Sequence, residues 1–281
     1  MEKIEQALTE RPPRLLYHYT DVDGFMGIVR TKMMQATVIY CLNDMEEFTR
    51  TFQMLIDQIN TRENLSLELK SILLKYLEQI SEIPIFVASF SEEGNLLSQW
   101  RAYGKGSGIS IGFTGEYLNN IANKSKVALR KCIYDPSRHM DLIRILVDQI
   151  NEEYLVLRSN NDSRSHDNAR VVIENNFYSY VTMLAPIIKN KAFSEEKEWR
   201  IVSGIDYVDE SRVNYKSVLG VVAPYFELPI VGAKGQCAIE EIYLGPTKEP
   251  DLAHRFVAQF LEKNSVKWSR IKASLIPYRG N

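Results

Sequence analysis

The sequence predicts a mixed-sheet α+β fold. Short apolar runs of strand length stand near both ends of the chain, longer segments with helical periodicity are inserted between them, and the two kinds do not alternate as a regular βαβ array does. Hydrophobic residues make up 45% and charged residues 25% of the chain, which excludes a disordered or fibrous protein. A length of 281 residues suits one elaborated domain spanning 1–281, with a helical insertion at about 137–190.

A polar leader ends at Pro12-Pro13, and Leu15-Leu16-Tyr17-His18-Tyr19 then crowds apolar and aromatic residues into strand length. Thr20 and Asp23 have capping-box spacing ahead of a helix whose one face carries Val22, Phe25, Met26 and Val29. A second cap is read at Asn43 with Glu46, leading into Met45, Phe48, Phe52, Leu55, Ile56 and Ile59 at helical spacing. A third helix carries Leu69, Ile72, Leu73, Tyr76, Leu77 and Ile80.

From Pro84 the pattern turns to sheet. Ile85 to Phe90 is β-branched and aromatic, and Gly104, Gly106 and Gly108 lead by a turn into the alternating strand Ile109 to Phe113. Val127 to Tyr134 also alternates, and Ser137 to Lys189 reads as two helices around the polar stretch Ser159 to Asn168. Strands are expected at Glu198 to Ser203, Val218 to Ala223 and Glu240 to Leu244, followed by an amphipathic helix from about Asp251 to Glu262 and a last strand near Val266 to Leu275.

A formal net charge of -2 gives no whole-molecule attraction to phosphate polymers, so nucleic-acid binding needs a local patch such as Lys263, Lys267, Arg270, Lys272 and Arg279. That patch also fits a solvated surface. Cys41, Cys132 and Cys237 are odd in number and lack a CxxC, which points to reduced thiols and neither a disulfide framework nor a zinc site. With no signal-peptide core and no run of about 18 apolar residues, the expected location is cytoplasmic, away from any membrane.

The densest chemistry lies in Ser194-Glu195-Glu196-Lys197-Glu198-Trp199-Arg200. Strand alternation puts Glu196, Glu198 and Arg200 on one face, either lining a cleft or forming a solvated charge ladder. Ser89-Phe90-Ser91 and Gln99-Trp100-Arg101-Ala102-Tyr103, with the glycines that follow, combine small hydroxyls with rings that can stack a flat ligand or anchor a core hairpin. His18 stands between two tyrosines, as a core residue or a ligand. Asn43, Asp44 and Glu46 are explained by a helix cap, so no metal site is expected; a metal-dependent nuclease would need Asp44, Glu46, Glu196 and Glu198 to converge.

Taken in order, Leu16-Tyr17-His18-Tyr19-Thr20, Leu42-Asn43-Asp44 with Glu46, Ser89-Phe90-Ser91, Gln99-Trp100-Arg101-Ala102-Tyr103 with Gly108 to Phe113, Glu196-Lys197-Glu198-Trp199-Arg200 and Tyr243-Leu244-Gly245-Pro246 resemble a bacterial family of unknown function grouped with the ADP-ribosyltransferase superfamily. The resemblance implies a split, clamp-like mixed sheet with inserted helices, holding NAD⁺ as substrate in a central cleft. It implies a dinucleotide-binding set of His18, Ser89, Ser91, Trp100 and Tyr103, in which His18 donates a hydrogen bond to ribose and Trp100 or Tyr103 stacks on nicotinamide. Glu198 then stabilises the oxocarbenium-like ribose formed as the nicotinamide–ribose bond breaks, and Glu196 prepares an acceptor. The acceptor is left open between protein, nucleic acid and small molecule; water would make the protein an NAD glycohydrolase. A toxin or defence role is implied at family level, and a non-catalytic binding or regulatory module would keep the same fold.

Overall fold

The computed structural model describes residues 3–41, 45–80, 83–104, 107–159, 163–203, 213–218, 220–231 and 239–277. The first half of the chain holds α1 (Lys3–Leu8), β1 (Leu15–Thr20), α2 (Val22–Thr31), β2 (Met33–Val38), α3 (Met45–Thr61), α4 (Leu67–Ile80), β3 (Phe86–Ser91), α5 (Leu97–Tyr103), β4 (Ile109–Thr114), α6 (Gly115–Lys124) and β5 (Ala128–Lys131). The second holds α7 (Pro136–Ser159), α8 (Ser163–Leu184), β6 (Glu198–Ser203), β7 (Val213–Val218), β8 (Val221–Pro229), β9 (Glu241–Leu244), α9 (Pro250–Lys263) and β10 (Arg270–Ala273).

These strands form a ten-stranded open sheet in the order β10-β9-β4-β1-β3-β2-β8-β7, with β6 added on β3 and β5 on β6. The sheet is mixed because β9 and β10 run parallel, whereas β3 pairs antiparallel with β1, β2 and β6. The fold is therefore α+β.

Alternation along the strands supplies two apolar faces. Leu16, Ala36, Phe86, Phe90, Ile111, Trp199 and Phe226 pack on one side with Phe25 of α2, Leu118 of α6 and Leu261 of α9. On the other side Val87 and Val202 meet the helices α1, α3, α4, α7 and α8, whose stripes include Leu55, Leu73, Leu146 and Phe177. Burying such faces supplies the main drive to fold.

Several local expectations are corrected. The leader is helical from Lys3 to Leu8 and buries Ile4 and Leu8, so its apolar pair, spaced i and i+4, outweighs its polar composition. Thr20 stays in β1; Asp21 caps α2 instead, accepting the Gly24 N–H at 2.7 Å. Gln99 to Tyr103 lie on helix α5, not on a hairpin, and α6 starts where Thr114 accepts the Tyr117 N–H at 3.2 Å. The strand expected at Val218 to Ala223 is the close of one hairpin arm and the start of the next, β7 and β8. Asn43, Asp44, Gly106, Cys237 and Arg279 lie outside the described residues. No helix among the described residues is long and apolar enough to cross a membrane.

Candidate functional site

Two strands compete for one edge of β3. β1 meets it at the C-terminal end, with Tyr17 opposite Ser91, while β2 meets it at the N-terminal end, with Thr37 and Val38 opposite Val87 and Phe86. Between these contacts Ala88, Ser89 and Phe90 pair with β6 alone among the described strands, and α2 connects β1 to β2 beside the resulting notch. A cavity of about 460 Å³ occupies the notch, within the range of small-molecule and cofactor sites.

His18 fills part of the gap. Its Nδ1 lies 3.0 Å from the Ser89 carbonyl oxygen, and its ring packs 5.8 Å from that of Phe90. A carbonyl can only accept, so Nδ1 carries the proton, and in the neutral ring Nε2 is an acceptor. Burial holds the His18 pKa below its ordinary value, outweighing the Ser89 carbonyl, and Lys216 pushes in the same direction. The neutral ring therefore corrects the expectation that His18 donates to a ligand.

The carboxylates approach from β6. Glu198 stands opposite Ser91, and Glu196 closes a 3-10 turn over Lys191–Glu196, separated from the strand by Lys197 at a φ of 43°. Glu196 thus does not continue the alternation of Glu198 and Arg200, yet it still lines the cavity together with Glu198. Lys189 joins them: its Nζ donates to Glu196 Oε2 at 2.7 Å and to Glu198 Oε2 at 2.6 Å. Arg200 grips Glu198 with Nε to Oε1 at 2.7 Å and Nη2 to Oε2 at 3.0 Å, and its Nη1 donates to the Pro186 carbonyl. Burial alone would raise the Glu198 pKa, but Arg200 and Lys189 override it and pull the group down to about 2. Glu198 is an anion held by two cations.

The remaining expected residues divide. Ser89 and Tyr103 line the cavity, and Tyr103 is 45% exposed. Ser91 also lines it, but its hydroxyl donates to the Glu196 carbonyl at 2.6 Å and accepts the Glu93 N–H at 3.0 Å, so it positions the Glu196 turn. Trp100 does not line the cavity. It is 1% exposed, donates its indole N–H to Asn95 Oδ1 at 2.9 Å and packs edge-on against Tyr19 at 4.8 Å, so it anchors α5 to β1. The glycines after α5 serve packing too. A Cβ on Gly108 would sit 2.5 Å from the Gly104 Cα and 2.8 Å from the Thr20 carbonyl oxygen.

The cavity also gathers Asp23, Gly24 and Gly27 from α2, Gln35 from β2, Lys216 from β7 and Glu227 from β8; of these only Asp23 stood out in the sequence, and then as a helix cap. Lys216 donates to Gln35 Oε1 at 2.9 Å. A Cβ on Gly27 would meet nothing within 4 Å, so this helix face is open to the cavity. The paired glycines three apart in α2 were the available signal; Lys216 had none, since β7 has little apolar patterning.

Residues 99–201 match the sequence family described as Protein of unknown function (DUF2971). The matched stretch runs from α5 into β6 and contains Tyr103, Glu196 and Glu198, while His18 and Ser89 lie before it. No curated protein and no solved structure matches the chain.

Proposed function

We propose that the notch binds NAD⁺ and that the protein breaks the nicotinamide–ribose bond, passing ADP-ribose to an acceptor in the manner of an ADP-ribosyltransferase. The observation that carries this reading is the convergence of the His18 ring and the Glu196–Glu198 pair on one cavity between the diverging strands β1 and β2. In the proposed arrangement a ribose hydroxyl donates to Nε2 of neutral His18, and Tyr103 offers its exposed ring to nicotinamide. Glu198, fixed in orientation by Arg200 and Lys189, faces the positive charge that develops on ribose. Glu196, tethered by the same lysine but nearer solvent, takes the acceptor proton.

One observation favours a non-catalytic binding module that keeps the fold. Both Glu198 oxygens are already engaged and its charge is balanced by two buried cations, as in a structural ion cluster. Calorimetric NAD⁺ titration and nicotinamide release, each measured on the parent, Glu198→Gln and His18→Phe, separate the two. The transferase reading expects binding and release by the parent, loss of release with retained binding in Glu198→Gln, and weakened binding in His18→Phe. Binding without release, across a broad set of acceptors, selects the module. A folded parent that neither binds nor cleaves NAD⁺ removes the proposal.

A further inference from the structure

A second cavity, of about 320 Å³, shares no residue with the notch. It forms where the edge strand β5 meets the end of α6 and one face of α8, and its lining includes Asn123, Lys126, Arg130, Ser179 and Thr182. Its central feature is an arginine with poor protein partners. Arg130 stands directly across the β5–β6 ladder from Arg200, but only Arg200 has a close carboxylate. For Arg130 the nearest carboxylate oxygen is Glu5 Oε1 at 3.8 Å from Nη2, whose other neighbour is the Met183 sulfur at 3.9 Å. Its Nε is buried and has no hydrogen-bond partner among the described residues.

A guanidinium presents five N–H donors in a rigid plane, and enclosing it with so few acceptors is unfavourable. Two arginines directly opposite on a ladder add like-charge repulsion. Burial accordingly lowers the Arg130 pKa, and Glu5 offsets this only in part. The side chain is nonetheless held beside the cavity, at 15% exposure, instead of extending into solvent. An oxyanion in the cavity supplies the acceptors and the counter-charge that Arg130 lacks, against the repulsion of Glu5, which lines the same cavity.

We propose that this cavity binds the phosphate group of a small anionic ligand, with Arg130 as the principal partner and Lys126, Asn123 and Ser179 as further donors. Phosphate fits this set better than a carboxylate does. Its oxygens, spread tetrahedrally, can receive the planar fork of Arg130, an ammonium and a hydroxyl from different directions, whereas a carboxylate offers two oxygens in a single plane. Thr182 is not counted as a donor, because its hydroxyl already donates to the Tyr178 carbonyl at 2.9 Å.

The test is equilibrium dialysis of the whole chain with inorganic phosphate at constant ionic strength, repeated with acetate and with ribose 5-phosphate. The expected result is saturable retention of phosphate, little retention of acetate, and competition between the two phosphate probes. Tighter retention of ribose 5-phosphate assigns the rest of the cavity to a carbon skeleton; equal retention assigns it to the bare anion. Arg130→Met, which keeps the apolar stem and removes the charge, should weaken phosphate retention by at least about tenfold. Near-UV circular dichroism reports whether that variant is folded, and Lys126→Ala with Ser179→Ala provides a milder double change expected to weaken retention severalfold. Unchanged retention in folded Arg130→Met or in the double variant overturns the proposal, as does absence of saturable retention by the parent. Preferential retention of acetate overturns the choice of phosphate, and loss on Lys216→Ala in place of Arg130→Met would move the anion to the notch.

Discussion

At Glu198 two large effects oppose each other. Desolvation penalises a buried carboxylate, while Arg200 and Lys189 at hydrogen-bonding distance more than repay it, so the group ionises at about 2 instead of the ordinary 4.5. Its folded pKa is below its unfolded one, so its contribution to stability is complete above about 4.5 and is lost as pH falls toward 2. Arg200→Met should therefore cost about 3–5 kcal/mol near neutral pH, because it leaves a buried anion with one cation shared by Glu196. Urea unfolding measures that cost, and a loss below about 1 kcal/mol would show that solvent reaches the carboxylate. His18 has the same sign in a higher window. Its neutral form is favoured by folding, so its stabilisation is complete above 6.5 and declines as pH falls below that value. His139, whose Nε2–H donates to the Ile133 carbonyl at 2.7 Å, is also held neutral by burial. His18→Phe should accordingly flatten, without abolishing, the decline in unfolding free energy on going below pH 6.5; an unchanged slope would mean that His18 is protonated as readily in the fold as outside it.

At the level of elements, helix α5 shows how position is fixed by contact. Trp100 locks it to Tyr19, and Gly108 brings the following chain against both Gly104 and the end of β1. Gly108→Ala should cost about 1–3 kcal/mol, because the added methyl meets backbone that cannot rotate away. Equal urea midpoints and slopes for Gly108→Ala and parent would show that this approach relaxes freely. This element was also the least legible. Trp100 and Tyr103 beside three glycines left a stacking pocket and a core hairpin both open, and neither reading was helical, since a seven-residue helix is too short to show a stripe. The long stripes of α3, α4, α7 and α8 were readable, as were β3, β4 and β6, because burial on one or both faces writes a period into the sequence. β2 carries Met33, Met34, Gln35 and Ala36, weak strand formers held in place by β8. Glu196 and Glu198 were visible as a pair, but the lysine between them was not visible as a break; only its positive φ moves Glu196 off the strand.

For the whole molecule, the consequence of the notch is mechanical. β1 with β4, β9 and β10 forms one wing, β2 with β8 and β7 the other, and on that side each is hydrogen-bonded to a different end of β3. Residues from both wings line the cavity, His18 from one and Gln35, Lys216 and Glu227 from the other, with α2 spanning the gap. A ligand seated there adds a bridge between wings that already share β3, α2 and the core beneath α6 and α9. NAD⁺, under the proposed function, should therefore stabilise the fold by about 2.7 kcal/mol at one hundred times its dissociation constant. Exchange protection should concentrate in Val22–Thr31 and at Ala88 to Phe90, where the lining backbone is least tied to neighbouring strands. The buried stripes of α7 and α8 belong to the opposite core and should change little. Hydrogen–deuterium exchange with and without NAD⁺ reads both regions in one experiment. Protection confined to the helical core, or spread evenly through the chain, would place the ligand outside the notch and remove the clamp from the mechanism.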